Sequence, residues 1–76
     1  MKKYVRATRY YVTNEDFIPF KEQPSGGYTK LQAIGRIHRE IAEYVKLFGG
    51  KPEDYTSCFH IMDDKMHYCR ELDSAI

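Results

Sequence analysis

The chain has 76 residues and a mass of 9.0 kDa; 42% of its residues are hydrophobic, 30% are charged, and the formal net charge is +1. A chain this short builds one hydrophobic core, and this composition excludes both a disordered tail and a membrane-embedded protein. No stretch approaches the roughly 20 apolar residues of a membrane span, or the apolar core of a signal peptide. We therefore expect one soluble domain over residues 1–76.

Charge is divided unevenly along the chain. Residues 1–39 carry eight Lys and Arg against three acids, whereas residues 40–76 carry four against eight. The first 12 residues hold four cations and no acid: Lys2, Lys3, Arg6 and Arg9. Such a cluster attracts phosphates or an acidic protein, unless the two halves neutralise each other within the fold.

Segment 5–13 is rich in β-branched and aromatic residues and predicts a strand that ends at the polar residues 14–16. Segment 17–20 is an edge strand or a plain loop, because Pro19 has no N–H to donate to a central ladder. Residues 21–28 then carry the Pro, Ser and Gly of a turn, which leads into a helix.

The helix has the clearest signals in the sequence. Thr29 and Gln32 have the spacing of a capping box, and the pair Gly49 and Gly50 predicts its end. Apolar residues recur at helical spacing: Leu31, Ile34, Ile37, Ile41, Tyr44, Val45 and Phe48. Opposite charges four residues apart, at Arg36 and Glu40, lie on the other face.

Two strands over residues 55–62 and 66–72, joined by a tight turn at 63–65, are expected to form a hairpin with Phe59 and Ile61 facing the helix. The predicted fold is α+β, in the order β-α-β-β. It has an antiparallel sheet of three strands, or four if 17–20 joins, with the last strand between the other two and the amphipathic helix on one face. No internal repeat is expected.

One helix covers one face of such a sheet, so the other face stays open for binding. Alternation along the first strand assigns Tyr4, Arg6 and Tyr10 to that open face, because the small Val5 and Ala7 suit packing under the helix. Aromatic and guanidinium groups of this kind contact a protein partner or a second copy of the chain. The alternative is nucleic-acid binding through four basic residues of the first strand: Lys2, Lys3, Arg6 and Arg9.

Two Cys/His pairs raise the question of a metal site: Cys58, His60, His67 and Cys69. These are zinc ligands, but their spacing differs from that of structural zinc knuckles, so a metal is only the weaker alternative to buried free thiols. Two cysteines are also too few for a secreted disulfide scaffold, which favours a reducing cytoplasm.

No constellation of residues predicts catalysis or a cofactor. His38 lies at the edge of the helix stripe, where a lone histidine is usually a packed boundary residue. Ser25, Gly26 and Gly27 lack the Gly-Lys-Ser/Thr ending of a phosphate-binding loop. The expected function is therefore that of a small, non-enzymatic cytoplasmic interaction or regulatory protein, such as an accessory factor of a microbe, phage or mobile element.

Overall fold

The computed structural model describes residues 8–76, which form two strands, one long helix and two short helical segments. In chain order these are strand β1 (Tyr10–Asn14), helix α1 (Lys30–Phe48), a 3₁₀ segment (Pro52–Cys58), strand β2 (Phe59–Asp63) and helix α2 (Arg70–Asp73). The strands pair antiparallel with Val12 opposite Ile61, and α1 packs on one face of the pair. The α+β class is thus confirmed.

The predicted sheet of three or four strands is wrong, because only two strands occur in the described part of the chain and they are direct neighbours. Segment 66–72, expected between them, instead makes one bridge to the outer edge of β2 through Tyr68 and then enters α2. Segment 17–20 also makes a single bridge, from Pro19 to β1. The β-α-β-β order is therefore replaced by β-α-β with a short final helix.

Left-handed residues explain why neither segment becomes a strand. Phe17 and Met66 stand at the start of the two segments, with φ angles of 61° and 65°. Large side chains rarely adopt this conformation, and it turns the chain sharply out of the extended direction. Each segment therefore returns beside its strand for one bridge and then departs.

Side chains hydrogen-bond to backbone N–H groups on both outer edges of the sheet. On β1, the N–H of Val12 donates to Oε1 of Gln23 at 2.7 Å. On β2, the N–H of Ile61 donates to Oδ1 of Asp73 at 2.8 Å. Because these donors are already satisfied, neither edge offers them to a further strand at this point.

The start of β2 also differs from the sequence prediction. A strand was expected from residue 55, but residues 55–58 belong to the 3₁₀ segment that Pro52 opens, and the strand begins at Phe59. Proline is well suited to the first turn of a helix because its fixed φ is already helical and it needs no N–H partner there. Of the first predicted strand, residues 5–7 lie outside the described residues, and β1 starts at Tyr10.

The ends of α1 are confirmed as predicted. The Thr29 side chain accepts from the N–H of Gln32 at 3.3 Å, and Oε1 of Gln32 accepts from the N–H of Thr29 at 3.0 Å. Gly49 follows the last helical residue with a φ of 77°, and its N–H donates to the carbonyl of Val45. None of the helices in residues 8–76 is both long and apolar enough to cross a membrane.

The core lies between α1 and one face of the strand pair, closed at one end by α2. Its buried members are Val12, Ala33, Ile37, Ile41, Phe59, Ile61 and Leu72. The prediction that Phe59 and Ile61 face the helix is confirmed. Leu31 and Phe48, placed by spacing in the helix stripe, are instead 79% and 73% exposed. Leu31 lies about 120° around the helix from the buried Ile37, and Phe48 is the last residue of α1.

Candidate functional site

The open face of the strand pair is the side turned away from α1. Residues directly opposite each other in an antiparallel pair share a face, so Tyr11 with Met62 and Thr13 with His60 lie on this side. Thr13 is completely buried and Met62 is 8% exposed, which shows that further side chains cover much of this face. His60 is the polar group at its centre.

Three rings form what we call the open-face cluster: Phe17, His60 and Tyr68. Phe17 stacks on the imidazole of His60 with ring centroids 4.1 Å apart and planes 7° from parallel. Tyr68 lies beside this stack with its plane nearly perpendicular to both rings; its centroid is 5.5 Å from that of His60 and 5.4 Å from that of Phe17. Aromatic groups from three separate segments thus meet on one surface.

Asp73 fixes the orientation of the His60 ring. Nδ1 of His60 lies 2.7 Å from Oδ2 of Asp73, and Oδ1 of the same carboxylate accepts from the Ile61 N–H. Hydrogen bonding to Asp73, together with partial burial, raises the pKa of Tyr68. One carboxylate at the start of the C-terminal tail therefore orients the imidazole and holds the N–H of the next residue of β2.

Two turns of the same design place the side chains beside the cluster. Oδ1 of Asn14 accepts from the N–H groups two and four residues later, at 2.9 and 3.0 Å. Oδ1 of Asp63 does the same at 2.9 and 2.8 Å, and these backbone bonds, chiefly that from His67, lower the pKa of Asp63. Each turn holds its fourth residue, Phe17 or Met66, in the left-handed conformation. The turns thereby stabilise a backbone that a large side chain otherwise avoids.

The surface around the cluster is apolar and exposed. Phe17 is 40% exposed, Tyr68 47%, Ile18 58% and Met66 59%. Charge around it is predominantly negative, since the turns at 14–18 and 63–67 contain four acids and one lysine: Glu15, Asp16, Asp63, Asp64 and Lys65. An apolar centre with an acidic border is a surface suited to a macromolecular partner rather than to a small substrate.

Of the three residues predicted to bind a partner, the structure describes Tyr10 alone, and Tyr10 does not lie on the open face. Tyr4 and Arg6 lie outside the described residues. Tyr10 lies on the opposite side of β1, half-buried and packed against the core, because the face that the fully buried Val12 occupies is the one under α1. The alternation was assigned to the wrong faces from the small size of Val5 and Ala7.

Of the four basic residues in the nucleic-acid alternative, only Arg9 lies within the described residues; Lys2, Lys3 and Arg6 do not. The Arg9 guanidinium donates to the carbonyls of Gly26 and Gly27 at 2.9 and 2.8 Å. It therefore ties the turn before α1 to β1. Gly27 is required there, because a Cβ on it would lie 2.9 Å from Cβ of Arg9 and its φ is 79°.

The two Cys/His pairs do not assemble a metal site. His60 is bound to Asp73, His67 lies 3.6 Å from Asp63, and Cys58 and Cys69 are free thiols. No group of three or more His, Cys, Asp or Glu suited to a metal occurs within residues 8–76. Burial raises the pKa of the Cys69 thiol, which makes it a poorer ligand and nucleophile. The zinc hypothesis depended on two adjacent strands, and the second of them is missing.

His38, expected to be packed at the boundary of the helix stripe, is exposed. The cluster members Phe17 and Tyr68 and the positioning residue Asp73 were not predicted as site residues. The signal available for Phe17 was the Asn14-x-x-Phe17 spacing, which repeats as Asp63-x-x-Met66. Asp73 reaches His60 across 13 residues of sequence, and no local pattern predicts such a contact.

The chain matches no protein-family model, and searches of curated proteins and of solved structures gave no significant match.

Proposed function

We propose that this protein is a non-enzymatic cytoplasmic interaction module that binds another protein through the open-face cluster. The observation that carries the proposal is the exposed ring pair of Phe17 and Tyr68, whose centroids are 5.4 Å apart, with two further exposed apolar residues in the turns after β1 and β2: Ile18 and Met66. Contiguous apolar surface of this kind marks interaction sites in small soluble domains. Two free thiols are in keeping with a reducing compartment.

The charge around the cluster indicates the chemistry of the partner. The two turns that border it contain four acids against Lys65, so the complementary surface is basic with one or more apolar anchors. A second copy of the chain would place acidic turns against acidic turns, which costs energy. The same charge repels phosphates, which favours a protein over nucleic acid. Binding at this face regulates the partner by covering its basic surface or by joining it to an assembly.

His60 with Asp73 resembles the histidine and carboxylate of many catalytic sites, but within residues 8–76 no hydroxyl or thiol hydrogen-bonds to the imidazole. A histidine acting as a base for a nucleophile needs that group within hydrogen-bond reach. The contacts that His60 does make are with the rings of Phe17 and Tyr68. Its role in the proposal is to support the aromatic surface.

The experiment compares three immobilised forms of the full chain in nuclease-treated lysate of the organism that carries the gene: wild type, Phe17→Ser and Leu47→Ser. Leu47 is 69% exposed on α1 and provides a matched loss of apolar surface away from the cluster. We expect wild type and Leu47→Ser to retain the same protein, and Phe17→Ser to lose it. An interface anchor of this kind is worth about 2 kcal/mol or more, which is roughly 30-fold in affinity.

Ile18→Ser serves as a second variant in case Phe17→Ser unfolds. Ile18 is 58% exposed, and its hydrogen bonds to Asn14 use only its own backbone, so its side chain can be shortened without loss of the turn. Thermal unfolding of each variant verifies the fold before capture. Equal retention by the wild type and by both folded cluster variants would contradict the proposal.

A further inference from the structure

A depression of about 400 Å³ lies between α1 and the turn that precedes it. Its lining residues are Pro24, Tyr28, Gln32, Gly35, Arg36 and Arg39. The four that belong to α1 follow helical spacing, so they form one stripe on a face roughly opposite to the buried Ile37 and Ile41. We call this feature the Arg39 depression; none of its lining residues belongs to the open-face cluster.

Arg36 is fixed in place at the edge of this depression. Its Nε donates to Oε1 of Glu40 at 2.8 Å, and its Nη1 donates to the carbonyl of Glu22 and to the Tyr28 hydroxyl. The guanidinium carbon lies 5.7 Å from the ring centroid of Phe20. Nη2 has no hydrogen-bond partner among residues 8–76, so its two N–H groups remain available.

The other polar groups of the lining also keep hydrogen-bond donors to spare. The Tyr28 hydroxyl accepts from Arg36, which leaves its own O–H without an acceptor in the described chain. Oε1 of Gln32 accepts from the Thr29 N–H, whereas Nε2 of Gln32 bonds to nothing within residues 8–76. The guanidinium of Arg39 makes neither a hydrogen bond nor an ion pair with any described residue. The complementary ligand is therefore a strong acceptor, and an anion satisfies these donors best.

Gly35 keeps the Arg39 depression open. It is exposed within α1, where glycine is the least favourable residue after proline. A Cβ at this position would meet no atom within 4 Å, so no contact inside the described chain requires glycine here. A longer side chain would extend into the space that Gly35 lines. The glycine therefore gives a ligand access to the donors around it.

The charge balance around the depression selects the type of anion. Arg36 is neutralised by Glu40, whereas Arg39 is not paired with any residue in the range 8–76. Even Glu43, one turn further along α1, forms no ion pair with Arg39. One uncompensated positive charge matches one carboxylate. A phosphate group carries about −1.5 to −2 and would remain partly uncompensated.

We propose that the Arg39 depression binds the carboxylate of an acidic side chain on a partner protein. Arg39 and Nη2 of Arg36 donate to the carboxylate oxygens, and the aliphatic part of the ligand packs on Pro24 and the Tyr28 ring. Only α1 and the preceding turn line the depression, so it does not enclose a small molecule as a cofactor pocket does. The carboxylate therefore belongs to a larger ligand that spreads over the surrounding surface.

The test is an NMR titration of the full chain, labelled with ¹⁵N, with the peptide acetyl-Leu-Glu-Leu-amide. We expect saturable shifts of the Gln32, Gly35 and Arg39 amides, with a Kd of about 1 mM. The control peptide acetyl-Leu-Gln-Leu-amide has the same shape without the charge. It should bind at least about tenfold more weakly, because it cannot accept charge-assisted hydrogen bonds.

Variants of the protein assign the binding to particular side chains. Arg39→Gln removes the unpaired charge without breaking a contact within the described chain, and should weaken binding of the Glu peptide at least about tenfold. Gly35→Leu fills the depression and should abolish binding, while its better helix propensity preserves the fold. Lys51→Gln removes one charge from an exposed position beyond the far end of α1, and its Kd should equal that of the wild type.

Phe17→Ser separates this proposal from the function proposed above. It removes the anchor of the open-face cluster and leaves the Arg39 depression intact, so it should bind the Glu peptide as the wild type does. Thermal unfolding of every variant verifies the fold before titration. Failure of one proposal therefore does not imply failure of the other.

Three kinds of result would overturn the proposal. Equal affinities of the wild type for the Glu and Gln peptides, or of the wild type and folded Arg39→Gln for the Glu peptide, would show that Arg39 does not bind a carboxylate. No shifts at the depression with about 10 mM peptide would remove the site altogether. Tighter binding of phenyl phosphate or of 3-phenylpropionate than of the Glu peptide would assign the depression to a phosphate or to a small organic acid instead.

Discussion

The side chain of Gln23 substitutes for a neighbouring strand at the outer edge of β1, and its removal has a calculable effect. Its Oε1 accepts from the Val12 N–H at 2.7 Å, and its Nε2 donates to the carbonyls of Val12 and Phe20 at 2.9 and 2.7 Å. Val12 is fully buried, so Gln23→Ala leaves its N–H without a partner. An unmade buried hydrogen bond costs about 1–3 kcal/mol.

We therefore expect Gln23→Ala to lower the free energy of unfolding by about 2 kcal/mol. In a domain of this size, that corresponds to a fall in Tm of about 8–16 °C. Urea and thermal unfolding followed by circular dichroism measure both quantities. Hydrogen exchange of the Val12 amide provides a local readout, since this N–H should lose protection before the rest of β1.

Gln23→Glu is the matched control for this prediction. The carboxylate still accepts from Val12, but its second oxygen faces the two carbonyl oxygens that Nε2 of Gln23 contacts, so Gln23→Glu should be destabilised at least as much as Gln23→Ala at neutral pH. If Gln23→Ala stays within about 0.5 kcal/mol of the wild type, the side chain does not carry the edge of β1 and the reasoning is refuted.

Two further perturbations test the helix cap and the second turn. Thr29→Ala should reduce the free energy of unfolding by about 1 kcal/mol through loss of the capping box, as measured by urea unfolding; an unchanged midpoint would contradict this. The pKa of Asp63 is lowered from 3.8, so its stabilising effect is present above that value and is lost as the pH falls through the lower, folded-state pKa. Asp63→Asn, which copies the turn at Asn14, should remove this pH dependence between about pH 5 and pH 2; parallel stability profiles of the two proteins would contradict it.

The elements that the sequence predicts correctly are those specified by neighbouring residues. The capping box of Thr29 and Gln32, the stop at Gly49 and the inward positions of Phe59 and Ile61 depend on spacing within one element. Each of these signals covers a few residues and has a single structural solution, so local physical chemistry is sufficient.

The third strand was wrongly predicted because contacts distant in sequence decide the conformation of segment 66–72. Strand propensity in segment 66–72 is opposed by the left-handed Met66 and by Asp73, which takes the Ile61 N–H from 12 residues away. Glycine is the usual sequence marker of a left-handed residue, and the left-handed positions here hold Phe17 and Met66 instead. The open-face cluster depends on these two turns, and so it could not be derived from the pattern of strands.

The face assignment of Tyr10 failed for a different reason. Small side chains at Val5 and Ala7 were used to choose the side under the helix, although Val12 on the opposite alternation is the residue that the core buries completely. Side-chain size is a weak guide to the buried face when both faces of a strand are partly covered. A shift of one position moves every side chain of the strand to the other face. A strongly apolar residue near the centre of the strand is the better marker.

The most direct test of the central claim is the affinity of the captured partner, purified and measured by calorimetry, for the wild type, Phe17→Ser and Leu47→Ser. We expect Phe17→Ser to bind roughly 30-fold more weakly, and Leu47→Ser to bind as the wild type does. Equal affinities for all three folded proteins, or a loss confined to Leu47→Ser, would show that the partner does not bind through the open-face cluster.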